Sequence, residues 1–137
     1  MKTPNHLLYW GLIFVVILGV VAVPGKIAQA AGTISLTTMG STYTQDFDSL
    51  VSSGTSSTFP TGWGLSETGT NANSTYAAGT GSSANGNTYS FGAAGSTDRA
   101  LGGLRSTALI PGYGASFMNN TGSAITSLTI TYTGEEW

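Results

Sequence analysis

The hydrophobic pattern changes character once along the chain. Leu7–Val23, LLYWGLIFVVILGVVAV, is an uninterrupted apolar run of 17 residues with no periodicity. Lys2 and His6 precede it, and Pro24-Gly25 closes it with a helix breaker. Ala28-Gln29-Ala30 then places small residues at the two positions a signal peptidase reads. Residues 1–30 therefore read as an export signal helix cleaved between Ala30 and Ala31. The alternative is an uncleaved anchor, because the run stands at the short edge of what can span a bilayer. No cysteine follows it, so a lipoprotein anchor is excluded.

Beyond Ala31 no window carries apolar residues at the helical spacing, and several alternate as a strand with one buried face does. Thr33–Leu36 sets Ile34 and Leu36 on one side, and Tyr43, Gln45 and Phe47 share a parity. Gly62–Glu67 carries Trp63 and Leu65, Thr88–Phe91 carries Tyr89 and Phe91, and Gly114–Met118 carries Phe117. Ala100–Leu104 is a short apolar piece. The clearest alternation is Ser127–Thr133, with Leu128, Ile130 and Tyr132 against Thr129, Thr131 and Thr133. Clusters such as Gly79–Asn87 and Asn119–Gly122 supply the turns between them. Short strands with frequent turn signals predict an all-β sandwich or barrel over residues 31–137. The Ser/Thr/Gly/Asn-rich stretches Ser52–Thr58 and Thr68–Asn87 admit disorder as an alternative. The strand pattern runs on to Glu135-Glu136-Trp137 with no closing turn, so an incomplete sandwich, the front part of a longer protein, is expected.

Composition narrows the chemistry. Of 137 residues only 4 are basic and 6 acidic, which leaves no basic footprint for nucleic acid. The absence of cysteine removes a disulfide framework, a thiolate zinc site and a cysteine nucleophile. The single histidine, His6, lies in the leader, so the exported part cannot assemble a Ser-His-Asp triad from its own residues. The glycine-rich stretches lack the spacing of a phosphate-binding loop. A non-catalytic protein is expected.

Four segments carry a resemblance: TQDFDSL from Thr44, FPTGWGLSETGT from Phe59, TYSFGAAGSTDRALGGLRS from Thr88, and GASFMNNTGSAITSLTITYTGEEW from Gly114. Together they resemble the amino-terminal, jelly-roll-like β-sandwich module of large bacterial secreted proteins, of the choice-of-anchor and cleaved-adhesin kind. In such modules an F-D-x-L segment precedes P-x-G-W and, later, R-A-L-G-x-L. The resemblance spans roughly residues 33–137 and implies a module often placed ahead of lamin-tail or extracellular nuclease-type domains. It also implies that strands would continue past Trp137.

Three groups of side chains are candidates for binding. Asp46 and Asp48 share the outward face of one expected strand and, with Glu67 brought near by folding, could offer oxygen ligands to a structural calcium. Two solvated aspartates are the plainer reading. Asp98, Arg99 and Arg105 bracket Ala100–Leu104, either as an arginine contact to a carboxylate or sugar or as an ordinary surface pair. Trp63, Tyr76, Tyr89, Tyr113 and Trp137 could stack on sugars, but most are expected in the core. Trp63 is assigned to the core, and Tyr76 and Tyr113, in Gly/Ser-rich surroundings, are the exposed candidates.

The expected function is therefore an exported, secreted or cell-surface module for adhesion, ligand presentation or spacing in a larger protein. Its expected partner is an extracellular polysaccharide or cell-surface ligand. The membrane is met only through the signal segment. The alternative is an accessory module of a secreted nuclease or phosphodiesterase whose catalytic domain lies beyond Trp137.

Overall fold

The computed structural model describes residues 25–29 and 32–137. The expected signal helix and the junction Ala30–Ala31 lie outside these residues. Among the described residues there are strands and no helix, in the order β1 (Lys26–Gln29), β2 (Ile34–Leu36), β3 (Thr55–Ser56), β4 (Trp63–Thr68), β5 (Tyr76–Gly79), β6 (Asn87–Phe91), β7 (Ala100–Leu104), β8 (Ile110–Ala115) and β9 (Phe117–Asn119). Antiparallel β1-β4-β8 forms one sheet, parallel β2-β9 a second, and β3-β5-β6-β7 a third. Within the third sheet β5 and β6 run parallel, while β3 pairs β5 and β7 pairs β6 antiparallel.

The core lies between the first and third sheets. Leu65 of β4 and Tyr76 of β5 are buried with Leu50 and Phe59, and Phe47, Val51, Trp63 and Leu101 pack against them. Residues from two sheets thus share one apolar layer, which makes the domain all-β and consistent with a β-sandwich. The strands expected at Ile34–Leu36, Gly62–Glu67, Thr88–Phe91 and Ala100–Leu104 appear as β2, β4, β6 and β7. Gly114–Met118 falls across the end of β8 and the start of β9.

Two expectations require correction. Tyr43–Phe47 is not a strand. Asp46 Oδ1 accepts the Asp48 N–H at 3.2 Å, the Leu50 N–H donates to the Phe47 carbonyl at 2.9 Å, and Phe47 takes a left-handed φ of 68°. That turn redirects Phe47 so that its ring meets Trp63 edge-on at 4.7 Å. Asp46 and Asp48 consequently sit in a turn, not on a shared strand face.

Ser127–Thr133, the clearest alternation, joins no sheet among the described residues. Leu128, Ile130 and Tyr132 stand 61%, 76% and 85% exposed. Alternation chooses which face a strand would bury, but a strand forms only where another backbone offers a ladder of hydrogen bonds.

The stretch Thr68–Asn87, for which disorder was an alternative, contains β5, whose YAAG sequence has no alternation. Its order comes from pairing on both edges, with β3 and with β6. Near its start, Gly69 has φ 111°, and an added Cβ there would lie 2.4 Å from the Ala108 carbonyl oxygen. Only glycine permits that close approach of two backbones.

Finally, β1 occupies residues assigned to the leader. Lys26, Ile27, Ala28 and Gln29 stand opposite Glu67, Ser66, Leu65 and Gly64.

Candidate binding cleft

Strand β6 organises the polar interior. Thr88 and Ser90 point to one face and are fully buried, and each holds a buried ionic side chain of opposite sign. Glu67, 0% exposed, reaches β6 from β4. Its Oε1 accepts the Thr88 N–H at 2.9 Å and the Thr88 hydroxyl at 2.8 Å, and its Oε2 accepts the Asn73 N–H at 3.0 Å. Asn73 in turn folds the following turn, because its Oδ1 accepts both the N–H and the hydroxyl of Thr75. A carboxylate with three donors is stabilised without a cation, since charge-assisted hydrogen bonds replace its lost hydration.

Arg99, 3% exposed, enters from the start of β7. Its Nε donates to Ser90 Oγ at 2.9 Å, Nη1 to the Ala93 carbonyl at 3.2 Å, and Nη2 to the Gly79 carbonyl at 3.3 Å and to the Ser90 carbonyl. The backbone N–H of Arg99 donates to Asp48 Oδ1 at 3.2 Å, which ties the Phe47 turn to β7. Arg99 is thus neither a surface residue nor the partner of Asp98. The planar fork of five donors gathers carbonyls from the C-terminal ends of both strands of the parallel β5–β6 pair and the turn after them, which a lysine could not do.

On the other side of β6, Tyr89 lies at 5.0 Å from Phe91, and the Trp137 ring stacks near-parallel on Phe91 at 6.4 Å. Between the Ser52–Gly54 loop, β5 and the 80–87 and 94–95 loops lies a cleft of about 690 Å³. Ser52, Ser53, Thr80, Ser82 and Ser83 line it with hydroxyls, Asn85 and Asn87 with amides, and Gly54, Gly79, Gly86 and Gly95 with bare backbone. Tyr89 also lines the cleft but is only 5% exposed, and its hydroxyl donates to the Asn85 carbonyl at 2.8 Å and lies 3.1 Å from Ser83 Oγ. Among the described residues lining the cleft, Arg99 is the charged one. Asn87 Oδ1 is buried without a hydrogen-bond partner at its edge.

The candidate residues fall in different places. Asp46 closes its own turn, Asp48 caps the Arg99 N–H, and both oxygens of Glu67 are taken by Thr88 and Asn73. Among the described residues no three acidic or histidine side chains gather where they could hold a metal ion. Tyr76 is corrected from an exposed to a core residue: it is 1% exposed, donates to the Thr58 carbonyl at 3.0 Å and accepts the Val51 N–H at 3.2 Å. Tyr113 is 48% exposed but lies on β8, in a separate trough of about 390 Å³ beside Ile27, Gly64 and Gly112. Trp63 packs partly buried against the core, as assigned, with its Nε1–H donating to the Tyr43 hydroxyl at 3.0 Å.

Apart from Tyr89 and Arg99, the cleft residues read from the sequence as turn formers or low-complexity stretches. The available signal was the density of hydroxyls and amides in Gly79–Asn87, which serves both roles. No protein-family model, curated protein or solved structure matches this chain.

Proposed function

We propose that the chain is an exported, non-catalytic, jelly-roll-like β-sandwich module of a larger secreted or surface protein, and that it binds an extracellular polysaccharide in the Ser52–Arg99 cleft. The observation that carries the reading is the lining itself. Serine and threonine hydroxyls and asparagine amides both donate and accept, matching the hydroxyl groups of a sugar, which do the same. The resemblance to secreted bacterial modules and the leader pattern support the same location.

The test is affinity electrophoresis of the processed protein through gels containing neutral or acidic polysaccharides. Retardation is expected in at least one. Ser53→Trp should abolish it, because Ser53 is exposed on the cleft wall and its replacement fills the cleft without disturbing the core. Tyr113→Ala should leave it unchanged, since Tyr113 does not line the cleft. Migration unaffected by every polysaccharide would overturn the binding role and favour a spacer.

A further inference from the structure

Strand β1 is the outermost strand of the β1-β4-β8 sheet, yet all of it lies on the amino-terminal side of the expected cleavage after Ala30. Cleavage there would remove Lys26–Gln29 and leave Gly64–Glu67 of β4 without the ladder that β1 supplies. An edge bared in this way is a ready template for another strand. The chain also holds a strand pattern without a sheet: Ser127–Thr133 has the strongest alternation after the leader, pairs with no strand among the described residues, and exposes Leu128, Ile130 and Tyr132.

We infer that, in the processed protein, residues 127–133 of a second copy occupy the place of β1 on β4. The inference rests on the export reading above. Paired residues of an antiparallel ladder share a face, so the position opposite Leu65 looks toward the core and the position opposite Ser66 looks outward. With Thr129 opposite Ser66, Ile130 falls opposite Leu65 toward the core, Leu128 falls opposite Glu67, Tyr132 runs just past the vacated ladder, and the threonines face outward. A second molecule can supply it without rearrangement. The segment is exposed where it stands, between β9, paired to β2, and Trp137, stacked on Phe91. Each copy offers one donor and one edge, so reciprocal exchange closes a two-fold dimer.

The test begins with the intact mass of the exported protein, followed by light scattering and crosslinking of that same species. A mature terminus at Ala31 and a dimer are expected. Ile130→Pro should weaken self-association by about tenfold or more, because proline cannot serve in a ladder, while leaving the thermal transition of the monomer unchanged. The chain has no cysteine, so Ser66→Cys in one copy and Thr129→Cys in another form a clean reporter. A disulfide between the two copies is expected on mixing. A monomeric processed protein, or a disulfide that forms only within a chain carrying both substitutions, overturns the inference. So does a mature terminus upstream of Lys26, which also overturns the cleavage site. Loss of polysaccharide binding alone, with the dimer intact, overturns only the cleft.

Discussion

Glu67 and Thr88 are joined twice: one carboxylate oxygen, Oε1, accepts both the backbone N–H of Thr88 at 2.9 Å and its hydroxyl at 2.8 Å. The contact ties β4 of one sheet to β6 of the other, across an interior that excludes water from both residues. Because the acceptor is ionic and the site dry, each of these bonds is stronger than a neutral one at the surface. Glu67→Gln should destabilise the domain by about 3 kcal/mol, since an amide NH₂ would face N–H and O–H donors or leave one of them unpaired. Thr88→Val, which removes only the hydroxyl, should cost less, about 1.5 kcal/mol. Urea unfolding of the two variants checks the order as well as the size. Equal stability of Glu67→Gln and the parent would refute the account.

Arg99→Lys should be more damaging than its conservative appearance suggests. A lysine ammonium has three donors on a point, whereas the carbonyls of Gly79, Ser90 and Ala93 and the Ser90 hydroxyl are spread around a planar fork. Leaving even two of these acceptors unpaired in a buried site costs about 2–4 kcal/mol. Thermal melting reads the loss, and a shift no larger than that of Arg105→Lys, at an exposed site, would contradict it.

Tyr76→Phe separates the core role from a ligand role. The phenol hydroxyl bridges the Thr58 carbonyl and the Val51 N–H, so its removal should cost about 1–3 kcal/mol while the ring keeps its place beside Phe59. Polysaccharide retardation at a temperature where the variant is folded should not change. A specific loss of binding with full stability would return Tyr76 to the binding surface.

Gly69→Ala should cost more than either hydroxyl deletion. The residue combines a φ of 111° with a Cβ position 2.4 Å from a backbone oxygen, and backbone cannot swing aside as a side chain can. Gly114→Ala, with nothing within 4 Å of the new Cβ and no left-handed φ, is the matched control and should stay within about 1 kcal/mol of the parent. The difference between their denaturation midpoints is the measurement.

The sequence by itself determined the strand class of the chain and the identity of four strands, β2, β4, β6 and β7. In each, a side-chain pattern or an apolar piece coincided with a backbone partner the fold supplies. It also placed Trp63 against the core, where the ring packs partly buried while its Nε1–H donates to the Tyr43 hydroxyl. Tertiary structure decided the rest. Ser127–Thr133 has a strand's pattern but no ladder, and YAAG of β5 has a ladder but no pattern, because hydrogen-bond partners are set by the neighbours and not by the segment. Arg99 and Tyr76 show the same limit for single residues. Burial depends on whether surrounding carbonyls and N–H groups converge on the polar end of a side chain. Four acceptors from Gly79, Ser90 and Ala93 do so around Arg99, and the Thr58 carbonyl with the Val51 N–H does so around Tyr76. Those groups lie between 6 and 25 residues away along the chain, so their convergence is a property of the folded sheets rather than of any local stretch of sequence.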